Sequence, residues 1–253
     1  MFLPFEWLQK RSCRILEVGN IMKLRISVFG SFYRGEQLIK AILAFQQEHP
    51  LLVDLTGIAT DDPFHPRTSP HARVWKYLND EEKAAHFHSI MMLAKAHNIP
   101  VWHGNVKGSK FARIFAAWNP GIAYMGTFGQ RVPRHIFEKP RHGFLNFHPT
   151  VDYHKWPSYV GGNPFREMIA RGERHGAIAL HEVNQEFDDG PLVAFSGNFR
   201  ILPDDTVVSL HQRTAVEAGK MVEWHLREFF SLTQPRYAIR PWVEEPEPAC
   251  ETM

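Results

Sequence analysis

An asparagine and a histidine stand two positions apart, Asn146 and His148, in an apolar run that stops at Pro149. In a β-strand, side chains two residues apart point to the same face, so the amide and the imidazole would lie side by side where the strand ends. An amide can hold a carbonyl or a developing oxyanion, and an imidazole can take or give a proton near neutral pH. The pair is therefore a candidate for catalysis, although the same two residues could instead satisfy only the backbone of a turn.

The elements around this pair alternate between short apolar runs and helical patterns. Strands are expected at 24–29, 51–60, 99–102, 121–125 and 143–148, and helices at 38–47, 81–97 and 109–118, the last capped by Ser109. Strands separated by helices need crossover connections, so the pattern predicts a mostly parallel sheet with helices on both faces. Such sheets bind ligands beyond the carboxyl ends of their strands. We therefore expect the segment 126–133 and the run 143–148 to form two walls of one site.

The second half of the chain has its own signals. Asn163 is placed to cap a helix that has Pro164 at its first position. Strands are expected at 177–183 and 192–199, and an amphipathic closing helix at 205–230. Asp188 lies in an Asp-Asp-Gly-Pro sequence between those strands, which by itself indicates a turn.

Composition excludes several classes of protein. With 29 basic and 27 acidic residues, the net charge of +2 does not favour a nucleic-acid or membrane surface. Only Cys13 and Cys250 are present, so neither a disulfide framework nor a cysteine metal site is expected. The chain shows no apolar run of the roughly 18 residues that span a bilayer and no secretion signal. These features predict a cytoplasmic protein.

The loop after the second strand and the two ends of the chain carry weaker signals. The proline-punctuated loop after the second strand carries a possible but poorly spaced metal cluster of Asp61, Asp62, His65 and His71. Residues 1–21 follow no sustained period and are expected to be an extension outside the core. The predicted domain covers residues 22–232, and a Pro- and Glu-rich tail covers 233–253.

The stretch from about Pro100 to Phe199 resembles the catalytic domain of the folate-dependent formyltransferases, which act on glycinamide ribonucleotide, methionyl-tRNA or sugar amines. The resemblance lies in the order of the motifs along the chain. The four main motifs are Phe-Gly-Gln-x-x-Pro at 128–133, Asn-x-His-Pro-Thr at 146–150, Ile-Ala-x-Gly-Glu at 169–173 and Asp-Asp-Gly at 188–190. Gly176 and His181 also occur in the family order. The resemblance implies an α/β protein with a single three-layer αβα domain and a mostly parallel, Rossmann-like sheet.

The resemblance also implies a site and a reaction. Asn146, His148 and Asp188 would be the catalytic residues, with Asp188 favouring a protonated His148. The formyl donor would be 10-formyltetrahydrofolate, with no metal, and it would lie along the loops 128–132 and 186–190. The residues expected to bind it are Phe128, Gly129, Gln130, Val132, Phe187 and Asp189.

The loop 151–162 departs most from the family pattern, because it is longer, more aromatic and lacks the usual arginine. Trp156 and Tyr159 could bind the acceptor by stacking on a sugar or base, or could simply pack the loop. The turn 31–36 lacks a glycine-rich phosphate loop, and little chain follows the closing helix. We therefore expect a small amine acceptor, such as an aminodeoxy sugar nucleotide or a modified amino acid, and no nucleic-acid partner. A homodimer is compatible with the sequence. The alternatives are a formyltetrahydrofolate hydrolase and a non-catalytic folate-binding protein.

Overall fold

The computed structural model describes residues 23–65, 73–151, 156–234, 237 and 239–241. Within them the strands are β1 (Leu24–Gly30), β2 (Val53–Ala59), β3 (Val101–Trp102), β4 (Ile122–Gly126), β5 (Phe144–Thr150), β6 (His175–Glu182), β7 (Leu192–Phe195), β8 (Phe199–Arg200) and β9 (Arg240–Pro241). The helices are α1 (Phe32–Glu48), α2 (Asp80–Ala96), α3 (Ser109–Trp118), α4 (Arg134–Phe137), α5 (Pro164–Ala170) and α6 (Val207–Phe229), and a 3-10 helix covers Arg73–Tyr77.

The strands form one sheet in the order β3-β2-β1-β4-β5-β6-β7-β9, with β8 paired to β6. The first five strands in this order are parallel, which confirms the predicted crossover architecture. From β6 onwards the pairing is antiparallel. The chain therefore returns beside β5 in the opposite direction, and the loop after β6 starts opposite Leu145, next to Asn146.

Helices cover both faces, as the three-layer prediction requires. On one face α1 and α6 pack together over a core that includes Ile26, Tyr124 and Leu145. On the other face α3 and α4 cover a second core around Phe29 and Phe115. Because parallel strands buried on both faces must be apolar along their length, the near-continuous hydrophobic runs in the sequence match this arrangement.

Three local predictions need correction. Helix α3 is capped by Gly108, and Ser109 is its first residue rather than its cap. The expected strand 192–199 is two strands, β7 and β8, that pair with different parts of β6. The sheet also extends past residue 232, because Arg240–Pro241 pairs with β7 in the segment assigned to the tail. The limits of the domain remain a prediction.

A buried histidine makes the fold sensitive to acid. His225 accepts or donates a 2.7 Å hydrogen bond with the Tyr124 hydroxyl in the core, and burial holds its pKa at about 4. An unfolded histidine titrates near pH 6.5, so between these values the unfolded chain binds a proton that the folded protein does not. The stability from this residue is therefore complete above about pH 6.5 and is lost on acidification, by about 2 kcal/mol at pH 5.

We expect His225→Gln, whose amide oxygen can still accept from Tyr124, to show a smaller loss of unfolding free energy between pH 7 and pH 5 than the parent, by about 2 kcal/mol. Urea unfolding at both pH values measures it. His88→Gln, at an exposed position of α2, is the control and should leave the pH dependence as in the parent. An unchanged pH dependence in His225→Gln would contradict the argument.

Candidate active site

A cleft of about 560 Å³ opens at the carboxyl ends of the parallel strands. Its walls are the loop after β4, the end of β5, the loop after β6 and the start of α5. This is the edge at which open parallel sheets bind ligands, and the two walls predicted from the sequence do face the same space.

Asn146 and His148 lie side by side on β5 as the strand pattern predicts, and both are buried. Asp188, from the loop after β6, joins them with one carboxylate oxygen. Its Oδ1 lies 3.2 Å from Asn146 Nδ2 and 3.3 Å from His148 Nδ1. The structure therefore brings the three predicted catalytic residues together around one oxygen atom.

Contacts with the backbone of neighbouring segments hold the loop that carries Asp188. Asp188 adopts a left-handed conformation with φ of 50°, and its Oδ2 accepts a 2.9 Å hydrogen bond from the Gly161 amide. Gly190 packs so closely on β6 that a Cβ there would lie 1.8 Å from the Glu182 carbonyl oxygen. Gly190 thus does more than form a turn, because its close packing on β6 fixes the position of the Asp188 carboxylate next to the sheet.

His181 is a fourth member of the cluster that the sequence analysis did not assign to the site. It lies on β6 opposite Asn146, and its Nδ1 is 2.8 Å from the Glu182 carbonyl oxygen. Nδ1 must therefore carry the hydrogen, and Nε2 accepts from Asn146 Nδ2 at 3.1 Å. Burial, followed by the His148 charge, lowers the pKa of His181 to about 4. Its place in the motif order was the only sequence signal for it.

Asp188 favours the protonated form of His148, as expected, but burial has the larger effect on its pKa. Burial lowers its pKa, and the opposing effects of Asp188 and the Tyr159 carbonyl do not restore it. His148 is therefore mostly neutral near pH 7 in the free protein. Its two nitrogens nevertheless face two acceptors, Asp188 and the Tyr159 carbonyl oxygen at 3.2 Å from Nε2. The surroundings are suited to receive a proton rather than to hold one permanently.

Two residues of the loop that departs from the family pattern, Trp156 and Tyr159, lie against this cluster. The Tyr159 hydroxyl donates to Glu173 at 2.5 Å, and the guanidinium of Arg171 lies 5.2 Å from its ring centroid. These contacts favour the packing alternative for the Tyr159 ring. The ring of Trp156 lies 4.9 Å from that of His181 and 6.1 Å from that of His148, so it rests against the catalytic cluster itself.

The residues predicted to bind the formyl donor lie in two groups, and the first group is on the loop after β4. The backbone from Phe128 to Val132 lines the cleft, but the Gln130 side chain is buried and bonds to Asp61, Gly104 and the Val106 amide. Gln130 therefore ties loops together instead of presenting its amide to a ligand. Val132 belongs to the core.

The other predicted donor residues lie on the loop after β6. Phe187 is 55% exposed at the mouth of the cleft, with the Arg131 guanidinium 4.9 Å from its ring centroid. Asp189 is exposed and lies outside the cleft lining. Donor binding by these residues stays a prediction.

Among the described residues no group of three or more His, Cys, Asp or Glu side chains is arranged to hold a metal, and His71 lies outside them. Asp61 instead accepts hydrogen bonds from Ser31, Gly129 and Gln130. No helix in the described part of the chain is long and apolar enough to cross a membrane.

The family model described as formyl transferase matches residues 76–223, more than half of the chain. The chain belongs to the formyl transferase family. It is 29% identical to the methionyl-tRNA formyltransferase of Thermus thermophilus over 125 residues, which are 49% of this chain and 39% of that protein. It is 29% identical to the methionyl-tRNA formyltransferase of Parvibaculum lavamentivorans over 158 residues, 62% of this chain and 48% of that protein. The matches thus span less than half of these two relatives.

Solved structures share the formyl transferase fold. A phosphoribosylglycinamide formyltransferase from Bacillus halodurans superposes with a TM-score of 0.60 at 17% identity, covering 84% of this chain and 98% of the other. A formyltetrahydrofolate deformylase from Pseudomonas syringae gives 0.58 at 16% identity, covering 82% of this chain and 62% of the other. Both confirm the predicted fold class.

The part of the chain matched to the formyl transferase family contains the whole cluster of Asn146, His148, His181 and Asp188. It leaves out β1 and α1, although Arg34 of α1 lines the same cleft. Two residues that line the cleft, Arg34 and Val74, therefore lie outside the family match.

Proposed function

We propose that this protein transfers a formyl group from 10-formyltetrahydrofolate to the nitrogen of a small amine. The observation that carries the proposal is the convergence of Asn146 and His148 on one oxygen of Asp188 at the wall of a ligand-sized cleft. The family match supports the formyl group as the unit transferred. The acceptor favoured from the sequence remains an aminodeoxy sugar nucleotide or a modified amino acid.

The cleft has suitable walls for the donor. Its volume of about 560 Å³ falls within the range of small-molecule sites, and the Phe128 to Val132 backbone faces the Glu186 to Asp188 loop across it. When bound, 10-formyltetrahydrofolate supplies the formyl carbon, which gains a bond to the acceptor nitrogen and loses its bond to the folate nitrogen. The protein supplies the groups that accept the proton and hold the developing negative charge.

His148 is the proton acceptor in this proposal. Because burial keeps it neutral, it can take the proton that the attacking amine must lose. The imidazolium then donates from Nδ1 to Asp188, while the acceptor replaces the Tyr159 carbonyl beside Nε2. The same proton can pass to the departing folate nitrogen.

Asn146 holds the developing negative charge on the formyl oxygen. Its amide is fixed in orientation by His181 Nε2, which takes one hydrogen and leaves the other directed toward Asp188 and the cleft. That hydrogen can be shared with an oxyanion, and one well-placed donor contributes roughly 3 to 4 kcal/mol to such a transition state.

The test is to incubate the protein with 10-formyltetrahydrofolate and a panel of small amines while following tetrahydrofolate and formate separately. We expect amine-dependent tetrahydrofolate release without stoichiometric formate, and at least 100-fold slower turnover in His148→Ala. Formate release without an amine would instead identify a hydrolase. Folate binding with neither product would identify a non-catalytic binding protein.

A further inference from the structure

Arg34 is a buried cation in the lining of the cleft. It lies in the first turn of α1, is 1% exposed and lines the cleft. Its terminal nitrogens donate to two hydroxyl groups, Thr127 Oγ1 and Thr214 Oγ1, each at 3.3 Å, and its Nε has no partner. No carboxylate of the described residues pairs with it, and burial lowers its pKa to about 10. Within the described residues, this positive charge in the cleft is therefore not paired with an acid.

The position of Arg34 is built by close backbone packing. A Cβ on Gly35 would lie 2.4 Å from the Gly30 carbonyl carbon, so α1 starts directly against the end of β1. A Cβ on Gly126 would lie 2.9 Å from Arg34 Cγ, so the stem of the arginine crosses the end of β4 in space that only glycine leaves open. The guanidinium is thus held over the strand ends that line the cleft.

His211 provides a second buried polar group beside the same space. It lies on α6, lines the cleft, is 8% exposed, and its Nδ1 has no hydrogen-bond partner. Burial and then the charge of Arg34 keep its pKa well below the ordinary value, so the ring is neutral. The ring of Phe165 lies 4.9 Å from His211 and 5.8 Å from the Arg34 guanidinium carbon, which gives this corner an apolar backing.

An unpaired buried cation is unfavourable for folding, because desolvation of the charge is not repaid by a partner. A guanidinium presents several N–H groups in a fixed plane and matches carboxylate or phosphate oxygens. Its charge also reaches the reaction centre, since Arg34 contributes to lowering the pKa of His148. A ligand anion placed beside Arg34 would therefore lie close to the catalytic residues.

We propose that Arg34, assisted by His211, binds a carboxylate or phosphate group of the acceptor, so that the acceptor is an anionic amine. This inference rests on the proposed formyl transfer for the identity of the ligand as an acceptor. The anion site itself does not depend on it, and the first measurement below tests the site alone.

The first measurement is calorimetric titration of the protein with inorganic phosphate and with acetate. We expect one site for at least one of these anions, weakened at least 10-fold in Arg34→Met. The matched control is Arg166→Met, which removes an exposed arginine from neighbouring α5 and should bind as the parent does. Absence of binding by the parent, or equal binding by Arg34→Met, overturns the proposal.

Thermal unfolding separates a ligand-binding arginine from a structural one. Arg34→Met removes an unpaired charge, so its melting temperature should be equal to or above that of the parent. A fall of more than 10 °C would indicate a structural role and overturn the proposal. If Arg34→Met does not fold, Arg34→Gln retains a donor for the threonine hydroxyls and takes its place in the titration.

The second measurement compares amines with and without one anionic group: β-alanine against ethylamine, and O-phosphoethanolamine against ethanolamine. We expect at least a 10-fold higher kcat/KM for the anionic member of one pair, which identifies carboxylate or phosphate, and less than a 2-fold difference in Arg34→Met. Equal use of both members in both pairs overturns the acceptor assignment. Anion binding without formyl transfer to any amine would overturn the proposed function and leave the anion site established.

Discussion

Replacing Asp188 by asparagine is expected to lower kcat/KM for formyl transfer at least 100-fold, or about 3 kcal/mol, in a protein that remains folded. The carboxylate accepts from Asn146 on one oxygen and from the Gly161 amide on the other, and Oδ1 also faces His148. An asparagine has only one acceptor oxygen, so at least one of these contacts fails. The negative charge that stabilises a protonated His148 is lost as well.

Single-turnover kinetics with tetrahydrofolate release as the signal measure this effect, and circular dichroism verifies the fold. Asp204→Asn is the matched control, because Asp204 is exposed in the turn before α6. It should retain kcat/KM within a factor of three. Activity of Asp188→Asn near the parent level would remove Asp188 from the catalytic group.

The same substitution has a spectroscopic consequence. Asp188 raises the pKa of His148 against the larger effect of burial. Removing that carboxylate should therefore move the His148 titration midpoint in NMR to a lower pH than in the parent. A His148 midpoint at higher pH than in the parent would contradict this account. If the variant lost activity only because the site is distorted, the His148 midpoint would not move to lower pH.

The second large effect is expected from Gly190→Ala. The added Cβ would lie 1.8 Å from the Glu182 carbonyl oxygen, which belongs to β6 and cannot retreat without disturbing its pairing with β5. Either the free energy of unfolding falls by more than about 3 kcal/mol or the loop moves outward and takes Asp188 with it. In both cases we expect kcat/KM to drop at least 100-fold.

Urea unfolding and transfer kinetics on the same preparation distinguish these two results for Gly190→Ala. Gly108→Ala is the control, because a Cβ at Gly108 meets nothing within 4 Å. It should keep kcat/KM within the range of the parent and lose no more than about 1 kcal/mol of stability, because Gly108 is the N-cap of α3. Parent-like values for Gly190→Ala would show that the close approach to β6 is not needed to seat the carboxylate.

Local patterns in the sequence were sufficient for the parallel half of the sheet and for the Asn146 and His148 pair. Both follow from short-range geometry: apolar runs bounded by turns mark strands, and a period of two places residues i and i+2 on one face. The cap of α5 by Asn163 was predictable for the same reason, since capping depends on residues three positions apart.

The order of the motifs, rather than any spacing, pointed to the catalytic role of Asp188. By spacing alone its sequence indicated only a turn, because the contacts with Asn146 and His148 span about forty positions. They exist because β6 runs antiparallel to β5 and ends opposite Leu145, so the loop that follows starts next to Asn146. Periodicity carries no information about that return.

Only the tertiary structure determined which partner each charged or polar group has. The hydrogen on His181 Nδ1, the neutral state of His148 and the threonine partners of Arg34 depend on burial and on neighbours from distant strands and helices. The sequence determined which side chains were available and where the strands begin. Packing determined which of them share a desolvated space, and desolvation is the physical reason that the pKa values of these buried imidazoles are lowered.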